Sequence, residues 1–308
     1  DGAATSDLNE IRAAYMALTD AQKANLDVFV MFGGARQAHW QGTKLIDLAG
    51  IVKDGEDGYY GNDTPDTYLE DTAGADMGQQ ATFEHFLAEA QKRQKNGAAK
   101  TFLDIWDHGG SFAGMGPDQN HNGILANDET QAALGKLNFQ ADMIGFDACL
   151  MGSVEVVRSV IGHADYLIAS EETEPGHGWD YESWLLQVAA KPEATTGEIG
   201  AWLVDTFLDS EKHKVTNGRT LSMVSLDKAA ALLTATDALG DAMAAKAQGG
   251  LDPVLDAHRE AQRYGSHGGN DDEFSRDLAV FAARLAQQDP GLASAAKAVE
   301  DAVKASVV

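Results

Sequence analysis

Residues 101–110, TFLDIWDHGG, and residues 141–152, ADMIGFDACLMG, each contain a short apolar run that stops at a reactive side chain. Apolar runs of this length, bounded by glycine and other turn residues, are typical of buried strands. The first run stops at His108, which two glycines follow, and the second stops at Cys149. In a parallel α/β sheet, ligands bind at the carboxyl ends of the strands. If these two strands are neighbours, His108 and Cys149 face each other across one edge of the sheet.

Similar apolar runs predict further strands at residues 26–32, 166–169 and, more weakly, 220–226. Segments with helical character lie between the strands, at residues 81–94, 129–137, 154–161 and 181–188. Because strand and helix alternate, we expect an α/β fold with a mostly parallel sheet and helices on both faces.

The sequence changes character after about residue 190, where it becomes rich in alanine and helix-like, with one strand. We therefore divide the chain into an N-terminal segment (residues 1–22), an α/β domain (residues 23–190) and a C-terminal part (residues 191–308). The C-terminal part is expected to be largely helical and to pack on the same sheet.

The charge of the 308-residue chain is strongly negative, with 48 Asp and Glu against 23 Lys and Arg, a net −25. Nucleic acid is a poor partner because its phosphates need Lys and Arg. Cationic peptides or metal cations suit this field better. The alternative is that the acidic residues serve only to keep the protein soluble, for example in a salty habitat. No apolar run approaches the roughly 18 residues of a membrane-spanning helix, so no membrane span is expected.

Cys149 is the single cysteine, so no disulfide can form within the chain. Such a thiol is either a buried apolar residue or a nucleophile. A thiol must ionise to attack a carbonyl, and its ordinary pKa is about 8.5. A nearby histidine assists the ionisation and protonates the leaving group. The residues after Cys149 look helical, which would favour the thiolate, and the N–H groups of Gly109 and Cys149 could bind the developing oxyanion.

Residues 106–110 (WDHGG) and 145–151 (GFDACLM) resemble the corresponding blocks of the clostripain family of cysteine peptidases. Weaker similarities support this resemblance, at residues 33–35 (GGA), 76–77 (DM), 154–155 (VE), 169–176 (ASEETEPG) and 178–181 (GWDY). The resemblance covers roughly residues 26–226 and is weaker beyond them.

The resemblance implies a caspase-like three-layer α/β/α sandwich, a catalytic dyad of His108 and Cys149, and cleavage after Arg or Lys at P1. The acid that selects this P1 residue in the S1 pocket corresponds to Asp147, and Asp180 is a second candidate. A buried carboxylate would favour a cationic side chain. Two structural alternatives stay open: Asp147 could cap a turn or orient His108, and Asp180 could N-cap the helix after it.

Residues 118–129 fit the calcium-loop pattern D-x-[DN]-x-[DN]-G-x5-E without a mismatch. The predicted calcium ligands are Asp118, Asn120, Asn122, the carbonyl of Ile124, and Glu129. The helix that precedes such a loop in an EF-hand is missing, so this would be a half-site. Members of the resembled family often depend on calcium, whereas the alternative is an ordinary Asn- and Gly-rich surface loop. No organic cofactor is expected.

The leading hypothesis is therefore a secreted or periplasmic, monomeric endopeptidase whose leader has been removed. A calcium-dependent binding module without catalysis and a cysteine amidase acting on small amides are the alternatives. Relatives are often activated by cleavage between the histidine and the cysteine. Lys136 is the single basic residue between Gly109 and Ala148, and it lies in a predicted helix, so we expect little or no self-cleavage there.

Overall fold

The computed structural model describes residues 2–36, 40–54, 68–94, 100–209, 213, 218–265 and 275–308. The strands are β1 (Phe29–Gly33), β2 (Thr43–Asp47), β3 (Glu70–Thr72), β4 (Phe102–Trp106), β5 (Met143–Asp147), β6 (Tyr166–Ala169) and β7 (Ser222–Ser225). The helices are α1 (Ala3–Ala17), α2 (Asp20–Lys23), α3 (Leu48–Asp54), α4 (Gln80–Arg93), α5 (Asn127–Leu137), α6 (Val154–Val160), α7 (Tyr181–Ala190), α8 (Thr196–Asp209), α9 (Leu226–Lys246), α10 (Asp252–Glu260), α11 (Leu278–Gln288) and α12 (Ala293–Ser306).

The central sheet has the strand order β4-β5-β6-β7. β4, β5 and β6 are parallel, because helical crossovers connect them, and β7 is antiparallel to β6 at the edge. β1, β2 and β3 form a separate antiparallel sheet, and Gly33 and Gly34 at the end of β1 both adopt positive φ. The predicted α/β class is confirmed, with a mixed arrangement in which the parallel pairing is confined to β4–β6.

Side chains of β5 alternate between the two faces of the central sheet, so the sheet has a helical layer on each side. Met143 packs into a core with residues of α1, α7 and α8. Ile144 and Phe146 pack into a second core with residues of α4, α5, α6 and α9. These two cores produce the α/β/α layering that the resemblance implied.

The C-terminal part contains α8–α12 and β7, and a third apolar core lies between α9, α10, α11 and α12. β7 pairs with β6, which joins this part to the central sheet. The boundaries of the predicted parts stay a prediction. No helix within the described residues has both the length and the apolar character needed to cross a membrane.

The predicted N-terminal segment contains the 15-residue helix α1, which packs along α7. Leu8, Ile11 and Ala14 form its buried apolar face at helical spacing. Asp7 is buried on the same helix, with 6% of its surface exposed. An acid in this position is unusual, because ionisable groups are seldom buried without a partner.

Candidate active site

The register of β4 against β5 brings His108 and Cys149 to the same edge of the central sheet. Trp106, the last residue of β4, pairs with Asp147, the last residue of β5. The pairing continues one residue further, since the Asp107 N–H donates to the Asp147 carbonyl at 3.3 Å. His108 and Cys149 each lie two residues beyond the final pair, so they follow neighbouring strands at the same height.

Gly109 lies against the backbone of Cys149. A Cβ atom at Gly109 would lie 2.4 Å from the Cys149 carbonyl oxygen and 2.8 Å from Cγ of Met151. Gly109 also forms an antiparallel β-bridge with Met115. The hydrogen bonds of this bridge belong to the neighbouring residues: the Gly110 N–H donates to the Gly114 carbonyl, and the Gly116 N–H donates to the His108 carbonyl. In such a pair, the N–H of Gly109 points away from Met115. Only glycine permits this close approach beside the thiol-bearing residue.

Three non-glycine residues beside His108 and Cys149 adopt positive φ: Asp107 (125°), Ser111 (54°) and Leu150 (63°). Such conformations cost energy and cluster at functional sites. The chain bends after both strands, and the His108 side chain is 78% exposed.

The loop of residues 170–174 lies directly beside the Cys149 turn. The Leu150 N–H donates to the Glu172 carbonyl and the Gly152 N–H donates to the Ser170 carbonyl. The Glu174 N–H approaches the Cys149 sulfur at 3.4 Å, where it would stabilise a thiolate. The sequence predicted a helix at residues 154–161 with Cys149 near its N-terminus, and α6 indeed begins at Val154, five residues after the cysteine. The donor facing the sulfur is therefore a loop N–H and not the end of a helix.

Asp147 is buried below Cys149, on the face of the sheet that α7 covers. Its Oδ2 accepts hydrogen bonds from the Trp179 N–H at 3.0 Å and the Tyr181 hydroxyl at 2.9 Å. The same hydroxyl lies 2.6 Å from Oδ2 of Asp104. A hydroxyl carries one proton, so both contacts are satisfied when one of the two carboxyls is itself protonated. Burial raises the pKa of Asp147, and burial followed by the charge of Asp147 raises the pKa of Asp104 to about 8.

Two further acids surround Asp147. Burial, and then the charge of Asp147, raises the pKa of Asp7 to about 8. The same two causes, in the same order, raise the pKa of Glu174 well above its ordinary value. We call Asp7, Asp104, Asp147 and Glu174 the acid cluster. Sequence reasoning found Asp147 and assigned no role to the other three. Asp7 and Glu174 come from segments far from the two strands, and Asp104 lies within the apolar run of β4.

Asp180 is buried at the start of α7. Its Oδ1 accepts a hydrogen bond from the Ser183 N–H at 2.9 Å, so Asp180 N-caps the helix. This is the structural alternative that the sequence left open for Asp180.

The predicted calcium loop forms a closed turn around Asp118. Oδ1 of Asp118 accepts the N–H groups of Asn120 and His121, and its Oδ2 accepts the N–H of Met77. Three side chains of the described residues bring ligand atoms within 4.8 Å of one another: Asp76, Asp118 and His121.

Glu129, the predicted last ligand of the loop, accepts the Ala126 N–H at 3.0 Å and caps α5. Asp76, which comes from a different turn, lies beside the loop in place of Glu129. A Cβ atom at Gly123 would lie 2.7 Å from the Asp76 carboxylate. Two carboxylates fit a hard cation, but the observed arrangement differs from an EF-hand at its twelfth position. The side-chain oxygen of Asn122 and the carbonyl oxygen of Ile124 remain predicted calcium ligands.

The model of the clostripain family matches residues 2–301 of the chain. No curated protein matches this chain. Its fold is similar to that of a secreted C11 cysteine protease from Bacteroides thetaiotaomicron in complex with an irreversible peptide inhibitor, with 19% identity and a TM-score of 0.67 over 99% of this chain and 79% of that one. It is also similar to an inactive zymogen C11 protease from Parabacteroides distasonis, with 20% identity and a TM-score of 0.66 over 99% and 78%. The chain therefore belongs to the clostripain family of cysteine peptidases, as the resemblance of the histidine and cysteine blocks predicted.

Proposed function

We propose that this cysteine endopeptidase cleaves peptide bonds after Arg or Lys, with Cys149 as nucleophile and His108 as its acid–base partner. The observation that carries the proposal is that His108 and Cys149 follow neighbouring parallel strands at the same height, beside a buried acid cluster. The shared register of β4 and β5 supports the dyad. The buried Asp147 supports the preference for a cationic side chain.

In the proposed reaction, the Cys149 thiolate attacks the carbonyl carbon of the scissile bond and forms a tetrahedral intermediate. The N–H groups of Gly109 and Cys149 donate to its oxyanion. His108, in its protonated form, gives its proton to the leaving amine as the C–N bond breaks. Water then attacks the acyl-enzyme while His108 accepts its proton, and the carboxylic acid product leaves as the thiolate reforms.

Peptide amides that differ only at P1 test the proposal. We expect hydrolysis of the Arg and Lys substrates, and loss of at least a thousandfold in kcat/KM in Cys149→Ala, because removing the nucleophile removes covalent catalysis. The Asp256→Asn variant, changed at an exposed acid of α10, serves as control. Undiminished hydrolysis by Cys149→Ala would end the proposal.

Two other outcomes point to the alternatives. A small amide turned over much faster than any peptide would favour an amidase. Failure of a thiol-directed peptidyl inhibitor to label Cys149 would favour a binding module without catalysis.

We further propose that calcium supports activity by binding beside Asp118 and Asp76, with Asn120, Asn122 and Ile124 supplying further oxygens. Calcium prefers such oxygen ligands, and two carboxylates would attract the ion. The loop begins ten residues after His108, so the ion would order the rim of the site. Chelation should lower both the melting temperature and kcat/KM, and added calcium should restore both in the unaltered chain but not in Asp76→Asn. Equal melting temperatures with and without chelator would contradict this.

Finally, we propose that the protein acts as a monomer outside the cytoplasm. The family member from Bacteroides thetaiotaomicron described as secreted supports this location. Fractionation of the native host and sedimentation of the purified protein test the two statements separately.

A further inference from the structure

The acid cluster lies on one face of the central sheet, directly below the thiol. Glu174 connects the cluster to the thiol, because its N–H approaches the Cys149 sulfur at 3.4 Å, and burial followed by the charge of Asp147 raises the pKa of its carboxyl. Asp104 pairs across the sheet with Gly145, two residues below Asp147. Glycine at 145 leaves room on that face for the ring of Trp179, which would lie 2.7 Å from a Cβ atom there. The cluster thus extends downward from the nucleophile.

Asp7 completes the cluster from the N-terminal helix. Among the described residues, no donor reaches either carboxylate oxygen of Asp7 or Oδ1 of Asp104 with normal hydrogen-bond geometry. Asp7 makes a loose contact with the Trp106 side chain, which opposes the rise in its pKa. Asp7 is more than nine-tenths buried. The dominant charges acting on Asp7 are negative, from Asp147, Glu10 and Asp104. A buried carboxylate in this setting lacks the compensation that buried acids need.

The described residues supply no Lys or Arg to this cluster through an ion pair. His177 acts to lower the pKa of Asp147, but burial still raises it. Among the described residues, the carboxyls therefore hold protons or are compensated by a bound cation. The cluster can do each in turn: its carboxyls hold protons while the site is empty, and they release these protons when a cation enters. A guanidinium group donates in a fork that matches carboxylates, and an ammonium group acts as a point charge.

We propose that Asp7 and Asp104 are specificity-determining residues that act with Asp147 to bind the positive charge of the P1 side chain. This inference rests on the proposed cleavage after Arg or Lys and extends it, because it assigns part of the selectivity to the N-terminal helix. Asp7 contributes its charge from α1, Asp104 from the middle of β4, and the Tyr181 hydroxyl joins Asp104 to Asp147. Removing either acid leaves the nucleophile and its N–H donors in place.

The test compares substrates with Arg and with citrulline at P1, since citrulline is the neutral isostere of arginine. We expect the ratio of kcat/KM for Arg over citrulline to fall at least tenfold in Asp7→Asn and in Asp104→Asn. The exposed-acid variant Asp20→Asn should keep the ratio of the unaltered chain. The rate at which iodoacetamide alkylates Cys149 should stay within twofold in all variants, which separates a lost pocket charge from a damaged nucleophile.

The outcomes separate this inference from the proposed function. If the unaltered chain shows no preference for Arg over citrulline, both the proposed specificity and this inference fail. If the unaltered chain prefers Arg and both variants keep the ratio within twofold, only this inference fails.

Calorimetry with agmatine as the cation provides a second measurement that does not depend on the folding of any variant. Binding to the unaltered protein at pH 7 should release protons, read from the heats in two buffers of different ionisation enthalpy. Agmatine binding without proton release would overturn the inference.

Discussion

Replacing Asp7 with Asn is expected to stabilise the protein increasingly as the pH rises from 5 to 8. Asp7 is an acid whose pKa in the folded state, about 8, lies far above its ordinary value of 3.8. Below pH 3.8 it is protonated in both the folded and the unfolded chain and has no effect on stability. As the pH rises, the unfolded chain ionises first and is favoured, until Asp7 ionises in the folded state as well near pH 8.

The magnitude follows from this window. One group that holds a proton only in the folded state lowers the free energy of unfolding by about 1.4 kcal/mol per pH unit. Between pH 5 and pH 7 the effect of Asp7 therefore grows by up to about 3 kcal/mol, and relaxation and water penetration reduce such a value in real proteins. Asparagine is isosteric and neutral, so Asp7→Asn removes this dependence. We expect the variant to exceed the unaltered protein by about 2–4 kcal/mol at pH 7.

Urea unfolding at pH 5, 6, 7 and 8 measures the effect, with Asp20→Asn as the exposed control. The titratable groups that face Asp7 are Glu10 on α1, Asp104 on β4, Asp147 at the end of β5 and Tyr181 on α7. Asp104→Asn should show the same trend, because the pKa of Asp104 is also raised to about 8. A stability difference between Asp7→Asn and the unaltered protein that does not change with pH would refute the reasoning.

Three other predictions follow from close contacts and local structure. Gly109→Ala should lower kcat/KM at least tenfold, because its methyl group would collide with the Cys149 carbonyl; full activity on the P1-Arg substrate would contradict the close approach. Gly145→Ala should cost about 1–3 kcal/mol in urea unfolding, because its Cβ atom would lie 2.7 Å from the Trp179 ring; unchanged stability would show that the ring moves freely. Active enzyme should remain one intact chain at Lys136, which lies in α5 and pairs with Glu84; a two-chain product that ends at Lys136 would contradict this, with Cys149→Ala as the uncleaved control.

The sequence was most informative where side-chain pattern and chemistry coincide. β4 and β5 were predicted from the apolar runs at residues 101–106 and 143–146, which reactive residues and glycines follow, and the structure contains both strands within one residue of these bounds. β2 was missed because Lys44 interrupts its apolar pattern. The structure explains how this lysine is buried, since its Nζ donates to the Gln41 carbonyl at 2.8 Å and lies 3.5 Å from Asp71.

The calcium pattern illustrates a limit of matching residue types. Glu129 satisfies the last position of the pattern, yet the same residue stands three positions after Ala126 at the start of α5 and accepts the Ala126 N–H. A sequence pattern cannot separate these two uses of one carboxylate, because both need an acid at that spacing. Asp76 was noticed only as part of the family resemblance. Its position beside Gly123 depends on how two distant turns pack.

The acid cluster and the thiolate make opposite electrostatic demands, and protonation reconciles them. A negative sulfur close to ionised carboxylates would be destabilised, and the charge of Cys149 indeed contributes to the raised pKa of Glu174. Carboxyls that hold protons while the site is empty impose no such repulsion. A cationic P1 side chain would displace these protons and bring its own positive charge, so the net charge below the thiolate would change little. A neutral P1 side chain would leave the buried acids protonated and would form no ion pair with them. Selectivity for a basic residue can therefore arise below the nucleophile without weakening it.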